Sequence, residues 1–156
     1  MGKYKQGEYN VINKDKYLGN KPPIFRSGWE EKFMIMLDLS PNIMKWGSEY
    51  VIIHYWDKAS NKPRRYFTDF YIELENGRKI VIEIKPEKEI QKPSEFIKKN
   101  GKIVPRPLKT QKQKLQYLNE MKTYITNRSK WEAATKYCDI NGIEFKIATE
   151  TNFKLF

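Results

Sequence analysis

Between residues 27 and 40 the apolar positions Trp29, Phe33, Met36 and Leu37 recur at i, i+4, i+7 and i+8. That spacing lines one side of an α-helix. Ser27-Gly28-Trp29-Glu30 precedes them with the S-x-x-E form of a capping box, in which a hydroxyl and a carboxylate satisfy the first free backbone N–H groups. The pattern predicts a helix from Ser27, ended by Ser40-Pro41-Asn42. From Tyr50 the period changes. The runs Tyr50–Trp56, Arg65–Leu74 and Lys79–Lys85 are rich in aromatic and β-branched residues and predict three strands. Glu75-Asn76-Gly77 between the last two is a hairpin signal.

Residues 86–109 break the pattern with Pro86, Pro93, Pro105, Pro107 and many lysines, and predict a long loop, a feature usually functional or mobile. Leu115, Leu118, Met121 and Ile125 predict a second helix over about 108–125, with those residues inward. Ser129-Lys130-Trp131-Glu132 is another S-x-x-E start and predicts a third helix through about Ile140, stopped by Asn141-Gly142. Ile143–Thr149 reads as a last strand. Residues 1–26, with Lys3, Lys5, Lys14, Lys16, Lys21, Arg26 and Pro22-Pro23, show little periodicity and read as an extended basic arm. Residues 27–156, in the order α-β-β-β-α-α-β, predict a single α/β domain with a mixed sheet.

Composition adds a partner to this picture. The chain has 156 residues, 39% of them hydrophobic, which suits one domain with an ordered core. No apolar run approaches the roughly 18 residues a membrane span needs, so no membrane is expected as partner. The N-terminal decapeptide lacks the apolar stretch of a secretory signal. A lone Cys138 excludes an internal disulfide framework and a cysteine zinc cluster, so a reducing cytoplasmic setting is expected. Cys138 shares a stripe with Trp131 and Ala134 and reads as core packing. The net charge of +11 is the stronger clue, since so basic a domain attracts polyanions and nucleic acid above all. The blander readings are a basic but merely soluble protein, or one that docks on an acidic protein.

The chemistry concentrates at the hairpin. Within Val81-Ile82-Glu83-Ile84-Lys85 the period of two sends Glu83 and Lys85 to one face and the isoleucines to the other. A two-residue turn at Asn76-Gly77 would set Phe70 opposite Glu83 and Asp69 opposite Ile84, a mismatch of polarity. A three-residue loop, Glu75-Asn76-Gly77 with Gly77 left-handed, instead sets Phe70 opposite Ile82, Ile72 opposite Ile80, Glu73 opposite Lys79 and Asp69 opposite Glu83. The second register satisfies every pair. It brings the Asp69 and Glu83 Cβ atoms to roughly 5 Å, where two carboxylates repel unless a cation lies between them. Hard oxygen donors with no cysteine or histidine cluster point to Mg²⁺ or Mn²⁺. Such an ion would polarise a scissile phosphate, and Lys85 on the same face would orient the attacking water or stabilise the phosphate. An Asp–Glu–Lys cluster that merely forms ion pairs on a solvated sheet face is the alternative.

These residues carry a resemblance. Asp69 followed by Glu83-Ile84-Lys85 is similar to the PD-(D/E)xK nuclease signature, with Thr68 where that pattern usually has proline. Phe25 to Glu30, Trp46-Gly47-Ser48-Glu49, Arg65 to Phe70, Ile82 to Pro86, the opening Gly2 to Gly7 and the tail segments Lys130 to Ala134 and Gly142 to Phe145 together resemble the head completion nucleases of T-even-type bacteriophages. The likeness spans nearly the whole chain. The N-terminal catalytic domain of the Tn7-type transposon endonuclease is a more distant relative of the same kind. The resemblance implies a restriction-endonuclease-like core, a central mixed sheet flanked by helices. It implies an Mg²⁺-dependent DNA endonuclease acting on the phage head after packaging, near the portal vertex, before the tail joins. Expected partners are DNA and head or portal proteins, and the expected setting is the host cytoplasm during assembly and then the virion head. A further carboxylate from the first helix is implied, and falls on Glu30; by its spacing alone Glu30 is the third residue of the Ser27 capping box. Lys88, Lys92, Lys98, Lys99, Lys102, Arg106 and Lys109 make residues 86–109 a candidate track for the DNA backbone, or a solvated loop. Glu31 reads as a solvated neighbour, Glu49 as a strand-end charge and His54 as a packed or surface residue. A homodimer is left open. The competing expectation is a structural head-closure or portal-associated protein that uses the nuclease fold mainly to bind DNA.

Overall fold

The computed structural model describes residues 5–152. Its elements run β1 (Gly7–Glu8), β2 (Ile24–Phe25), α1 (Gly28–Leu39), β3 (Ile43–Ser48), β4 (Ile52–Asp57), β5 (Lys62–Phe67), β6 (Phe70–Leu74), β7 (Lys79–Ile84), α2 (Glu87–Ile90), β8 (Phe96–Lys99), β9 (Lys102–Pro105), α3 (Gln111–Asn141) and β10 (Glu144–Ala148). The central sheet has the order β10-β7-β6-β3, with β10 parallel to β7 and the other pairs antiparallel. This is the mixed sheet flanked by helices that the pattern predicts, and it is consistent with a restriction-endonuclease-like core.

Alternation along β6 and β7 builds two cores. Phe70, Ile72, Ile80 and Ile82 pack with Phe33, Met34 and Leu37 of α1 on one face. Tyr71 and Val81 pack with Trp131, Ala134 and Cys138 of α3 on the other, where Cys138 is a buried free thiol. The predicted hairpin register is the observed one: Phe70 pairs with Ile82, Ile72 with Ile80 and Glu73 with Lys79. The Leu74 N–H closes the three-residue loop on the Arg78 carbonyl at 2.8 Å, and Gly77 takes φ +86°. Ser27 caps α1 as expected, accepting the Glu30 N–H, and the chain leaves that helix at Ser40.

Several expectations are corrected. Arg65–Leu74 is two strands: β5 pairs with β4, while β6 pairs with β7 and β3. The chain changes sheets at Thr68-Asp69, where the Thr68 N–H and hydroxyl both donate to the Val51 carbonyl (3.2 and 2.7 Å) and the Glu49 N–H donates to the Asp69 carbonyl. Strand β3 was not anticipated, because Ile43-Met44-Lys45-Trp46 is too short an apolar run to announce one. Residues 86–109, expected as a long loop, form the short helix α2 and the hairpin β8–β9. Asn100 (φ +51°) and Gly101 (φ +76°) turn that hairpin, the Asn-Gly pair that a type I′ turn favours.

The two late helices are one. Helix α3 starts with a Thr110–Gln113 capping box and stops at Gly142 in the left-handed conformation (φ +68°). Ser129 lies inside it, donating to the Ile125 carbonyl at 2.9 Å and accepting the Lys58 N–H at 3.2 Å. Its polar character stitches α3 to the β4–β5 turn rather than starting a helix. Leu115 and Leu118, expected inward, are 58% and 50% exposed, because the first turns of α3 extend beyond the sheet's core.

Rather than a free arm, residues 5–26 pack on α1 and on the edge strand β3, where Tyr17 bridges to Trp46 and the Leu18 N–H donates to the Trp46 carbonyl at 2.9 Å. The Tyr9 hydroxyl and the N–H groups of Ile12 and Asn13 donate to the buried Asp38 carboxylate. Helix α1 has no basic residue in its last turn, and Lys16 serves instead, donating to the carbonyls of Leu37, Asp38 and Ser40 at 3.0, 2.8 and 2.8 Å. Residues 1–4, which include Lys3 and the first part of the sequence-read arm, lie outside the described residues. Among the described residues no helix is long and apolar enough to cross a membrane.

Candidate active site

Glu83 is the next-to-last residue of β7, on the α3 side of the sheet, and is 7% exposed. Asp69 lies at the bend between β5 and β6 and reaches across to it. One Asp69 oxygen, Oδ2, accepts the Ile84 N–H at 2.8 Å. The two carboxyls lie close enough for each to act on the other's proton affinity. Burial first, and then the charge of Glu83, hold the Asp69 carboxyl well above the ordinary carboxylate range. Burial also raises Glu83, against the Tyr66 hydroxyl bond and the positive charges of Lys85 and Lys130, which favour its ionised form. With no cation between them, the pair therefore keeps a proton in a pH range where free carboxylates have lost theirs.

Lys85 follows on the same face, half-buried, its backbone tied by N–H donation to the Ala148 carbonyl of β10 at 3.0 Å. Parallel pairing of β10 with β7 thus fixes where this lysine emerges. Glu30 stands at the start of α1, with its own N–H on the Ser27 hydroxyl and its Oε2 accepting the Arg26 N–H at 2.7 Å. The carboxylate closes the cap one residue further back than a standard capping box. Its negative charge is nonetheless felt at Asp69. Arg26 and Glu49 form an ion pair at 2.7 Å beside it. His54 is exposed on β4 opposite Arg65, and Glu31 pairs with Lys5.

Could a metal sit here? Among the described residues no group of three or more His, Cys, Asp or Glu side chains is arranged to hold one. The site therefore lacks a closed all-protein cage such as structural zinc requires. Two adjoining carboxylates are what Mg²⁺ commonly uses, with waters and substrate phosphate completing its octahedron. The like-charged pair, costly as it stands, fits that group.

Lys85 opens onto a groove of 790 Å³ between residues 85–94 and one side of α3. Lys88, Glu89 and Lys92 line it from one wall, and Lys112, Gln116, Asn119, Glu120 and Tyr124 from the other, so the lysines outnumber the carboxylates. Lysine, amide and hydroxyl side chains are the usual contacts of a nucleic-acid backbone. Of the remaining sequence-named cations, Arg106 meets the groove through Glu120 and the others lie elsewhere. Lys98, Lys99 and Lys102 are exposed on the β8–β9 hairpin, Lys109 precedes the α3 cap, and Arg106 is ion-paired with Glu120 and stacked on Tyr117.

Two residues at the site were missed from sequence. The Tyr66 hydroxyl donates to Glu83 Oε2 at 2.6 Å, and the Lys130 Nζ lies 5.4 Å from the centre of the Tyr66 ring. Tyr66 was hidden by the assumption of one continuous strand, and Lys130 by the assumption that a helix begins beside it.

Residues 40–150 match the family described as TnsA-like endonuclease N terminal, a span that holds Asp69, Glu83 and Lys85 but not Glu30. Over 149 residues the chain is 38% identical to the head completion nuclease of Enterobacteria phage T4, covering 95% of this chain and 93% of that protein.

Proposed function

The chain belongs to the family of TnsA-like endonuclease N-terminal domains and to that of the head completion nucleases, and on that premise we propose that it hydrolyses phosphodiesters in phage DNA through Asp69, Glu83 and Lys85. The observation that carries this reading is the adjoining Asp69–Glu83 carboxyl pair, with Glu83 buried, Asp69 tied to the Ile84 N–H, and Lys85 following at once on the same face. Burying two like charges is unfavourable unless a cation compensates them.

Asp69 and Glu83 would hold Mg²⁺ or Mn²⁺, which when bound polarises a phosphate and makes a coordinated water more acidic. The Ile84 N–H keeps one Asp69 oxygen occupied and so orients the other. Lys85 supplies a positive charge where the pentacovalent phosphate develops, or a donor that aligns the attacking water. Glu30 adds negative charge near Asp69 while capping α1, which suits an auxiliary ligand or base. The DNA strand would leave Lys85 along the groove between residues 85–94 and α3, its phosphates facing Lys88, Lys92 and Lys112. The setting would be the phage head in the host cytoplasm, after packaging and before tail attachment, alongside portal-vertex proteins. A purely structural head-closure role would leave the acidic pair as an uncompensated cost.

Supercoiled plasmid incubated with the purified protein and Mg²⁺ or Mn²⁺ tests the reading. Wild type should nick or linearise it, EDTA should stop the reaction, and Lys85→Ala should slow it by about 10²–10³-fold. Equal plasmid survival with wild type, Asp69→Ala and Lys85→Ala would defeat it.

A further inference from the structure

Glu83 has a second line of support that belongs neither to the acidic pair nor to Lys85. Tyr66 is 2% exposed, and its hydroxyl has Glu83 as its hydrogen-bond partner at 2.6 Å. A buried phenol needs such a partner, but nothing in packing requires that the partner be a carboxylate of the active site. Lys130, half-buried on α3, lies over the Tyr66 ring at 5.4 Å. Among the described residues Lys130 forms no ion pair. A partly desolvated ammonium over an aromatic face is a favourable contact and restrains the ring. The chain of contacts therefore runs from α3, through the ring, to one oxygen of Glu83.

We propose that Tyr66 and Lys130 are positioning residues for Glu83: the phenol holds Oε2, so that Oε1 is presented toward Asp69, and Lys130 holds the phenol. This rests on the reading of Asp69 and Glu83 as a metal pair. A carboxylate free to rotate offers its oxygens in many directions, whereas one pinned by an outer hydrogen bond offers one geometry. Such outer partners typically account for 10- to 100-fold in metal affinity. Tyr66 stands on β5 and Lys130 on α3, so the device also links the hairpin β4–β5 and the long helix to the end of β7.

Mn²⁺ binding to the DNA-free full-length protein, followed by the paramagnetic resonance of free Mn²⁺, tests this apart from catalysis. Tyr66→Phe removes only the hydroxyl. It should raise the Mn²⁺ dissociation constant about 10- to 100-fold, leave KM for DNA unchanged and recover most of kcat at saturating Mn²⁺. Lys130→Gln should weaken Mn²⁺ binding several-fold, and Lys130→Arg, which keeps a cation over the ring, should restore it. Asp69→Asn serves as the reference. If Asp69→Asn binds Mn²⁺ like wild type, the metal reading falls and takes this inference with it. If Asp69→Asn abolishes binding while Tyr66→Phe matches wild type, only the positioning role is overturned. Tighter Mn²⁺ binding by Lys130→Gln would show a merely repulsive charge and overturn the part given to Lys130.

Discussion

Asp69 bears the conflict between folding and chemistry most plainly. Its carboxyl accepts the Ile84 N–H, which favours the ionised form, yet burial and Glu83 outweigh that bond and push its pKa up. A carboxyl that binds its proton more tightly in the folded chain than in the unfolded one makes stability fall as pH rises. The fall begins near the ordinary value of 3.8 and continues to the raised native value. Asp69→Asn keeps an oxygen for the Ile84 N–H and removes the charge. In metal-free buffer it should therefore melt higher than wild type at pH 7, with the difference shrinking toward pH 4; equal melting temperatures at pH 7 would contradict this. Thr68 offers a milder test. Its N–H and hydroxyl converge on the Val51 carbonyl, and proline could supply neither bond. Thr68→Val keeps the N–H and should cost about 1 kcal/mol, read in urea melts, with cleavage unchanged.

At the scale of elements, the β6–β7 hairpin was legible because both faces of both strands declare their polarity, so one register alone satisfied Phe70, Ile72, Glu73 and Asp69 together. Its left-handed Gly77 was legible for the same reason. The break between β5 and β6 was not, since a run of aromatic and β-branched residues reads as one strand even where its partner changes. Helix α3 misled for a different reason: Ser129 has the chemistry of a cap, and only tertiary contact with Lys58 shows that its hydroxyl is spent inside the helix. Ser129→Ala removes the acceptor of the Lys58 N–H and a link between α3 and the β4–β5 turn. It should destabilise by about 1 kcal/mol, whereas a true N-cap loss would also unwind the following turn. Amide exchange at residues 130–133 distinguishes the two, and protection there should stay as in wild type.

Over the whole molecule, the cations that sequence grouped together are divided between the groove beside Lys85 and the outer hairpin β8–β9. Sequence offered all seven named cations as one candidate DNA track, or a solvated loop, and the fold divides them. Each groove lysine replaced by alanine (Lys88, Lys92 or Lys112) should lower the slope of log affinity against log salt by about 0.9 if it meets a duplex phosphate. Lys98→Ala and Lys102→Ala on the hairpin should change it less; a larger effect from the hairpin would move the DNA off the groove. The candidate core, Asp69, Glu83 and Lys85, was legible as a cluster from residues close in sequence, and the fold does bring the three together. Tyr66 and Lys130 were not, because they reach it from separate elements.

The most direct measurement of the central claim is single-turnover cleavage of an end-labelled duplex by wild type and Glu83→Gln, with enzyme saturating and Mg²⁺ varied. The Asp69–Glu83 account predicts metal-dependent cleavage by wild type and at least about a 10²-fold slower rate for Glu83→Gln, with DNA affinity within a few-fold. Equal rates for the two proteins, or a wild-type rate indifferent to Mg²⁺ and to EDTA, would contradict it.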